Sequence, residues 1–141
     1  MGYLEGDNSE QFAELVLTLM REEAARLGGI FAIEHHQRGN ISEEITASVR
    51  RGDHTFRIEM QYVRKDAIRD DYLPAGWAHI ENDWELRLRP APDHPANGQF
   101  HWYRERREEQ GESFSPPELV DQTWLRELIR EKLLISPSIR S

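Results

Sequence analysis

The sequence predicts an α+β domain with an N-terminal helix, an antiparallel meander of about five strands, and a C-terminal helix packed on the sheet. Three observations support this prediction. Apolar residues recur at helical spacing near both ends of the chain, and the stretch between them alternates apolar and polar residues. No linker divides the 141 residues. We therefore expect a single domain over residues 1–141, with flexible ends at 1–8 and 135–141.

The first helix is predicted from Ser9 to Leu27, and the pair Gly28-Gly29 ends it. Its apolar side chains fall on one stripe: Phe12, Leu15, Val16, Leu19, Met20, Ala24 and Leu27. A partner protein could cover such a stripe. We expect instead that the domain's own sheet covers it, because that is the commoner way for a helix to bury an apolar face.

Three strands are predicted to follow the first helix. Ile30 to His36 alternates loosely, whereas Ile45 to Val49 and Phe56 to Tyr62 alternate regularly. The segment Arg51-Gly52-Asp53-His54 is predicted to join the last two strands in a hairpin, because glycine adopts positive φ without steric cost. One apolar and one polar face indicate an antiparallel sheet that is covered on one side.

Two more strands and the final helix complete the prediction. Trp84 to Arg89 and Gln99 to Arg104 are the fourth and fifth strands, and the prolines between them prevent a continuous ladder. Ser115-Pro116-Pro117-Glu118 has the pattern of a capping box with proline at the first helical position. The apolar face of the helix that follows comprises Val120, Trp124, Leu125, Leu128, Ile129 and Leu133.

Composition excludes several kinds of site and partner. The net charge of −8 disfavours nucleic acid as the main partner, because phosphate binding requires a basic surface. The chain has no cysteine, which excludes disulfides, zinc–thiolate sites and thiol nucleophiles. The sequence shows neither a signal peptide nor an apolar run long enough for a membrane span. We therefore expect a cytoplasmic protein without a membrane partner.

The titratable residues show no catalytic motif. His35 and His36 are adjacent on a predicted strand, so they point to opposite faces. None of the six histidines has the spacing of a helical zinc site. Adjacent carboxylates such as Glu43-Glu44 diverge on a strand instead of facing each other across a cleft. We predict no catalytic residue, no metal ligand and no cofactor.

The stretch Leu73–Tyr103 is the least generic part of the chain, because three tryptophans, several prolines and two arginines fall within it. We expect it to contribute a recognition surface, formed by the loops 65–83 and 90–98 and an exposed arginine face. The candidate binding residues are Trp77, His79, Arg87, Arg89, His94, Asn97, His101 and Tyr103. Aromatic residues interleaved with arginines are also typical of a platform for single-stranded nucleic acid, which the net acidity disfavours.

The same stretch carries a resemblance to a known family. Leu73-Pro74-Ala75-Gly76-Trp77, the strand Glu85 to Arg89, Asp93-His94-Pro95 and Phe100-His101-Trp102-Tyr103 resemble bacterial relatives of the ubiquitin-conjugating enzymes (UBC fold). Phe114-Ser115 and the helix Asp121 to Leu133 extend the resemblance, which spans Tyr72 to Leu133. The family's enzymes carry ubiquitin as a thioester on cysteine, and this chain has no cysteine. The resemblance therefore implies a non-catalytic relative that binds a partner.

Three functional hypotheses follow from the sequence. The first is a non-catalytic protein-interaction module of a bacterial cytosolic system, such as a UBC-like accessory protein from a defence or protein-modification operon. It would bind another protein, and a homodimer is left open. The second is an acidic secretion chaperone, immunity protein or antitoxin. The third is a small metal-dependent hydrolase or nuclease that uses the scattered histidines His54, His79, His94 and His101.

Overall fold

A computed structural model describes residues 9–64, 75–81, 83–90, 100–107 and 117–134. The elements in these ranges are α1 (Ser9–Leu27), β1 (Ile30–Arg38), β2 (Ser42–Arg51), β3 (His54–Val63), β4 (Gly76–Ile80), β5 (Trp84–Pro90), β6 (Phe100–Arg106), β7 (Glu118–Leu119) and α2 (Gln122–Leu134). The strands form one sheet in sequence order, and every neighbouring pair is antiparallel. The predicted flexible ends, 1–8 and 135–141, lie outside the described residues.

The predicted fold class is confirmed, but the meander has seven strands in the described residues instead of about five. The two strands that the prediction missed are β4 and β7. In β4, Ala78 and Ile80 are buried while Trp77 and His79 alternate with them, so the period of two was present in the sequence. The prediction of a loop over residues 65–83 missed this alternation. The strand β7 has only two residues, which is too short for any periodicity.

The boundaries of α1 agree with the prediction, and Gly28 ends the helix with φ of 79°. The predicted start of the last helix is wrong. Glu118-Leu119 pairs with β6 as a strand, and the main-chain nitrogen of Val120 donates to the Trp102 carbonyl at 3.0 Å. The helix begins after Asp121, whose Oδ1 accepts a hydrogen bond from the Trp124 nitrogen at 2.8 Å. A side-chain cap thus replaces the expected capping box.

Both helices cover the same face of the sheet, and the core lies between them and the strands. On β2, β3, β4 and β5, every second side chain points toward the helices. Those near the middle of the sheet are fully buried, as is Trp102 of β6. The ring of Phe12, near the start of α1, stacks on the Trp102 indole with 3.9 Å between centroids. Burial of these apolar surfaces supplies most of the driving force for folding.

The close packing around Trp102 requires glycine at position 76. A Cβ atom on Gly76 would lie 2.9 Å from Cη2 of Trp102 and 3.2 Å from the Gln61 carbonyl oxygen. Only a residue without a side chain lets β4 pass beneath the indole at this distance. Gly76, which we predicted in the loop 65–83, is therefore a packing requirement inside a strand.

Polar contacts at one end of the sheet hold both helix C-termini. The predicted hairpin between β2 and β3 is confirmed, and Gly52 has φ of 65°. Arg51 Nε donates to the Leu27 carbonyl at 3.0 Å, and Arg51 Nη1 donates to the Leu133 carbonyl at 3.2 Å. His54 Nε2 donates to the Lys132 carbonyl at 3.1 Å. The hairpin thus satisfies carbonyls that a helix end leaves without internal partners.

Neither described helix combines the length and the apolar character that crossing a bilayer would require.

Candidate functional site

The sheet face opposite the two described helices, α1 and α2, is called here the open face. Side chains on β2 to β6 reach it at the positions that alternate with the core. Of the candidate binding residues, the open face collects Trp77 and His79 from β4, Arg87 and Arg89 from β5, and His101 and Tyr103 from β6. Residues paired across an antiparallel ladder lie side by side on one face. The pairing therefore places these six in one continuous patch on adjacent strands.

The register gives the arrangement of this patch. Trp77 pairs with Arg87, and Arg87 pairs with Tyr103, so an arginine lies between two aromatic residues in one row across the sheet. In the next row of the same face, Arg89 pairs with His101. Arginine flanked by aromatic rings on neighbouring strands is within reach of both rings.

Trp77 and His79 form a stacked pair along β4. Their ring centroids are 4.4 Å apart, and the ring planes differ by 28°. We predicted these residues in a loop, and that placement is wrong, because both belong to a strand whose alternate residues are buried. The strand makes the pair a fixed feature, since the ladders on both sides of β4 hold its backbone.

Three arginines of the open face are paired within the face. Arg87 forms an ion pair with Glu85, and Arg89 forms one with Glu105. Farther along the sheet, Arg57 Nε donates to Glu34 Oε1 at 2.8 Å, and this bond, together with one from Ser48, lowers the pKa of Glu34. The open face thus carries charges of both signs in close pairs, and it is locally neutral although the chain is strongly acidic.

The histidines of the described residues do not converge on one point. His54 is engaged with the end of α2, and His79 lies on β4 within the open face. Glu105 of β6 lies in the same cross-strand row as His79, and His101 is four residues before Glu105. His101 is therefore roughly 13 Å from the row of His79, measured along the strand. His94 and Asn97 fall outside the described residues. Within the described ranges, no group of three or more histidine, aspartate or glutamate side chains could hold a metal ion.

One polar cluster was missed by the sequence analysis. The buried carboxylate of Glu43 is hydrogen-bonded to His36 Nε2, and it accepts a hydrogen bond from the Tyr62 hydroxyl at 2.9 Å. Burial alone would raise the pKa of Glu43, but the bonds from His36 and Tyr62 outweigh it and lower that pKa. Burial, with help from Glu43, raises the pKa of Tyr62. The carboxylate fixes an exposed imidazole at the edge of the sheet.

Two clefts border the far end of the sheet. The smaller one, of about 90 Å³, opens at His79 and is lined largely by the carboxylates of Glu59, Glu81, Asp83 and Glu85. The larger one, of about 400 Å³, lies beside α2, where the rings of Trp84 and Trp124 meet edge to face at 5.0 Å. Both tryptophans are partly buried at the margin of the core. Arg104 lies 4.4 Å above the Trp124 ring and already occupies one of its faces.

Comparisons of the chain with family models, with curated proteins and with solved structures found no match. Inferences about function are therefore drawn from the residues themselves. A flat, locally neutral face with aromatic rings and paired arginines is suited to contact another surface. It offers binding chemistry, and no group of three or more histidine and carboxylate side chains in the described residues could hold a metal ion.

Proposed function

We propose that the protein is a non-catalytic protein-interaction module and that the open face is its binding surface. The observation that carries this proposal is the gathering of Trp77, Arg87 and Tyr103 in one cross-strand row. Tryptophan, tyrosine and arginine are the residue types that most often dominate the binding energy of protein interfaces. A rigid strand presents them without the entropic cost of ordering a loop.

The charge pattern of the open face favours a protein over a polyanion as partner. Arg87 and Arg89 are compensated by Glu85 and Glu105, so the face has no uniform basic field to attract phosphates. Arg–Glu pairs at the rim of an interface can exchange partners with charges on an incoming surface, which contributes specificity more than affinity. A partner with a mixed-charge surface and a few apolar side chains suits this pattern.

The proposal extends to the setting in which the protein acts. We place it in the bacterial cytoplasm, as a UBC-like accessory protein from a defence or protein-modification operon. Supporting this setting are the absence of cysteine from the sequence and the motifs between Tyr72 and Leu133. An acidic secretion chaperone, immunity protein or antitoxin would use the same face, with a basic partner. A hydrolase built on His54, His79 and His101 is not favoured, because these residues lie on separate elements.

The test is co-purification of the tagged chain with the products of its neighbouring genes, each co-expressed singly. The double variant Trp77→Ala/Arg87→Ala should lose a partner that the wild type retains, by at least about tenfold in Kd. Arg21→Ala is the matched control, because Arg21 also lies against an aromatic ring, that of Phe31, but on the helix-covered side. A partner lost equally in both variants, or in neither, would refute the open face as the binding surface.

A further inference from the structure

The strand β1 has an uncovered edge. It pairs with β2 on one side, and in the described ranges no strand pairs with its other side. Eight of its nine residues are exposed. Ile30 is 57% exposed and Ile33 is 44% exposed, so two of the four exposed large apolar side chains among the described residues lie on this strand. A long, exposed, partly apolar edge is a template for pairing with another strand.

A β-bulge divides this edge into two halves of different character. The register with β2 shifts between Ile33 and His35, leaving Glu34 as the extra residue. The half after the bulge, His35 to Arg38, is polar. The half before it, Ile30 to Ile33, contains no charged side chain. Because bulges and charges protect edges against pairing, the first half is the unprotected one.

We propose that this first half is the interface with a second copy of the chain, with β1 pairing antiparallel to its symmetry mate about a two-fold axis at Ala32. In a symmetric antiparallel pair, the two-fold axis passes between two copies of one residue, which lie directly opposite each other. An axis at Ala32 opposes Phe31 of each copy to Ile33 of the other, and such aromatic–β-branched pairs stabilise sheets. An axis at Glu34 would oppose two like charges within the bulge.

Charge complementarity identifies the occupant as a second copy. Arg50 lies beside Ile30 in the β2 ladder, on the open face, and it forms no ion pair with any described residue. With the axis at Ala32, Ile30 faces Glu34 of the mate, whose carboxylate accepts a hydrogen bond from Arg57 of its own chain and would be shared between Arg57 and Arg50. Arg50 then stands two strand spacings from that carboxylate, roughly 10 Å between Cα atoms, within reach of two long side chains. The two-fold axis creates this pairing twice, whereas an unrelated strand would have to supply a matching acid.

The interface is short, so the dimer should be weak. Pairing from Ile30 to Glu34 covers about five residues, or roughly 17 Å of strand, which is small beside the interfaces of permanent dimers. We expect a dissociation constant on the order of 100 µM. The surface differs from the Trp77–Arg87–Tyr103 row, so the dimer leaves that part of the open face available. The inference therefore does not depend on the proposed function.

Directed cross-linking tests the register, because the chain has no cysteine of its own. Directly opposed residues of an antiparallel pair have Cα atoms about 4.5–5.5 Å apart, which suits a disulfide. Ala32→Cys should therefore give a covalent dimer under mild oxidation. Gln37→Cys, exposed on the same strand beyond the bulge, is the control and should cross-link at least about tenfold more slowly. Equal rates in the two variants, or no dimer from Ala32→Cys, would overturn the proposal.

Sedimentation equilibrium of the unmodified chain tests the association itself. The wild type should change from monomer to dimer between about 10 µM and about 1 mM. Ile33→Lys places a charge in the interface and should raise the dissociation constant at least about tenfold. Leu134→Lys alters a comparably exposed apolar residue at the end of α2 and should leave the constant unchanged. Circular dichroism confirms that both variants fold. A wild type that stays monomeric, as it would if β1 paired only with a foreign strand, contradicts the proposal.

Discussion

Glu23 of α1 is bound by Arg130 of α2, 107 residues farther along the chain, with 2.8 Å between Arg130 Nε and Glu23 Oε1. Arg126 donates to the same carboxylate at 3.2 Å. The Glu23 side chain is fully buried, whereas both arginine side chains keep about a third of their surface in solvent. The bond from Arg130 lowers the pKa of Glu23 against the opposing effect of burial. One buried carboxylate thus ties the two helices together.

Replacing Glu23 by glutamine should destabilise the fold. The variant keeps the shape of the side chain but removes the charge that compensates Arg26, Arg126 and Arg130. We expect the free energy of unfolding to fall by about 2 kcal/mol. Urea denaturation followed by circular dichroism measures this change. Glu22→Gln is the control, because Glu22 contacts Arg126 from an exposed position and should change the free energy by less than about 0.5 kcal/mol. A Glu23→Gln loss no larger than the control's would show that the helices do not depend on this carboxylate.

Stability should fall at acidic pH. The pKa values of Glu23 and Glu43 are lower in the folded protein than the ordinary value of 4.5. Their ionised forms therefore stabilise the fold above about pH 4.5, and this contribution is lost as the pH falls from there through the folded-state values. The measurement is the thermal unfolding midpoint from about pH 7 to about pH 3. In Glu23→Gln the decline below about pH 4.5 should be shallower than in the wild type, and an identical decline would contradict this assignment.

Adding a methyl group at Gly76 should disturb the core. In Gly76→Ala the new Cβ would lie 2.9 Å from the Trp102 ring, so the strand or the indole must move. We expect a loss of about 1–3 kcal/mol in the free energy of unfolding, together with a changed near-ultraviolet circular dichroism spectrum of the aromatic side chains. Ala75→Ser, at the exposed neighbouring position, should change neither quantity appreciably. An unchanged spectrum and an unchanged free energy of unfolding in Gly76→Ala would mean that the packing accommodates the methyl group.

Removing Arg51 should loosen both helix ends together. Arg51→Ala deletes the donors to the Leu27 and Leu133 carbonyls, and we expect a loss of about 1–2 kcal/mol in the free energy of unfolding. Hydrogen exchange at the last turns of α1 and α2 should accelerate, because the freed carbonyls leave those turns less constrained. Arg50→Ala, one position earlier and exposed, should leave the exchange of these turns as it is. Acceleration at only one helix would refute the joint role.

Much of the fold could be predicted because its signals are local. The stripe from Phe12 to Leu27, the stop at Gly28 and the hairpin at Gly52 each depend on a few adjacent residues, and all agree with the structure. The errors arose where tertiary contacts override local signals. The local sequence at Glu118 and Leu119 predicts the first turn of a helix. Pairing with Tyr103 and Arg104 makes these residues a strand instead. That pairing joins residues that are not neighbours in the sequence, and no local pattern predicts it.

Of the polar clusters, one could be predicted from local signals and the other depends on tertiary contacts. Glu23 could have been found, because it sits beside Ala24 and three residues after Met20, on the apolar stripe, where a carboxylate requires a partner. The cluster of His36, Glu43 and Tyr62 was harder to find. A bulge that the sequence does not mark restores His36 to the helix-covered face, opposite Ile45. The shared face of Trp77 and Tyr103 likewise needed the register of β4, β5 and β6.

The stack of Phe12 on Trp102 bears on how the protein folds as it leaves the ribosome. A meander can form strand by strand, because each strand pairs with the one just made. The helix α1 is synthesised before the strands, yet its apolar side meets Trp102 and α2, which follow most of the sheet. Until then its stripe lacks part of its cover, and the nascent chain should be a target for chaperones that bind exposed apolar helices. Completion of the core therefore waits for α2 to leave the ribosome, and a chain truncated before α2 should aggregate.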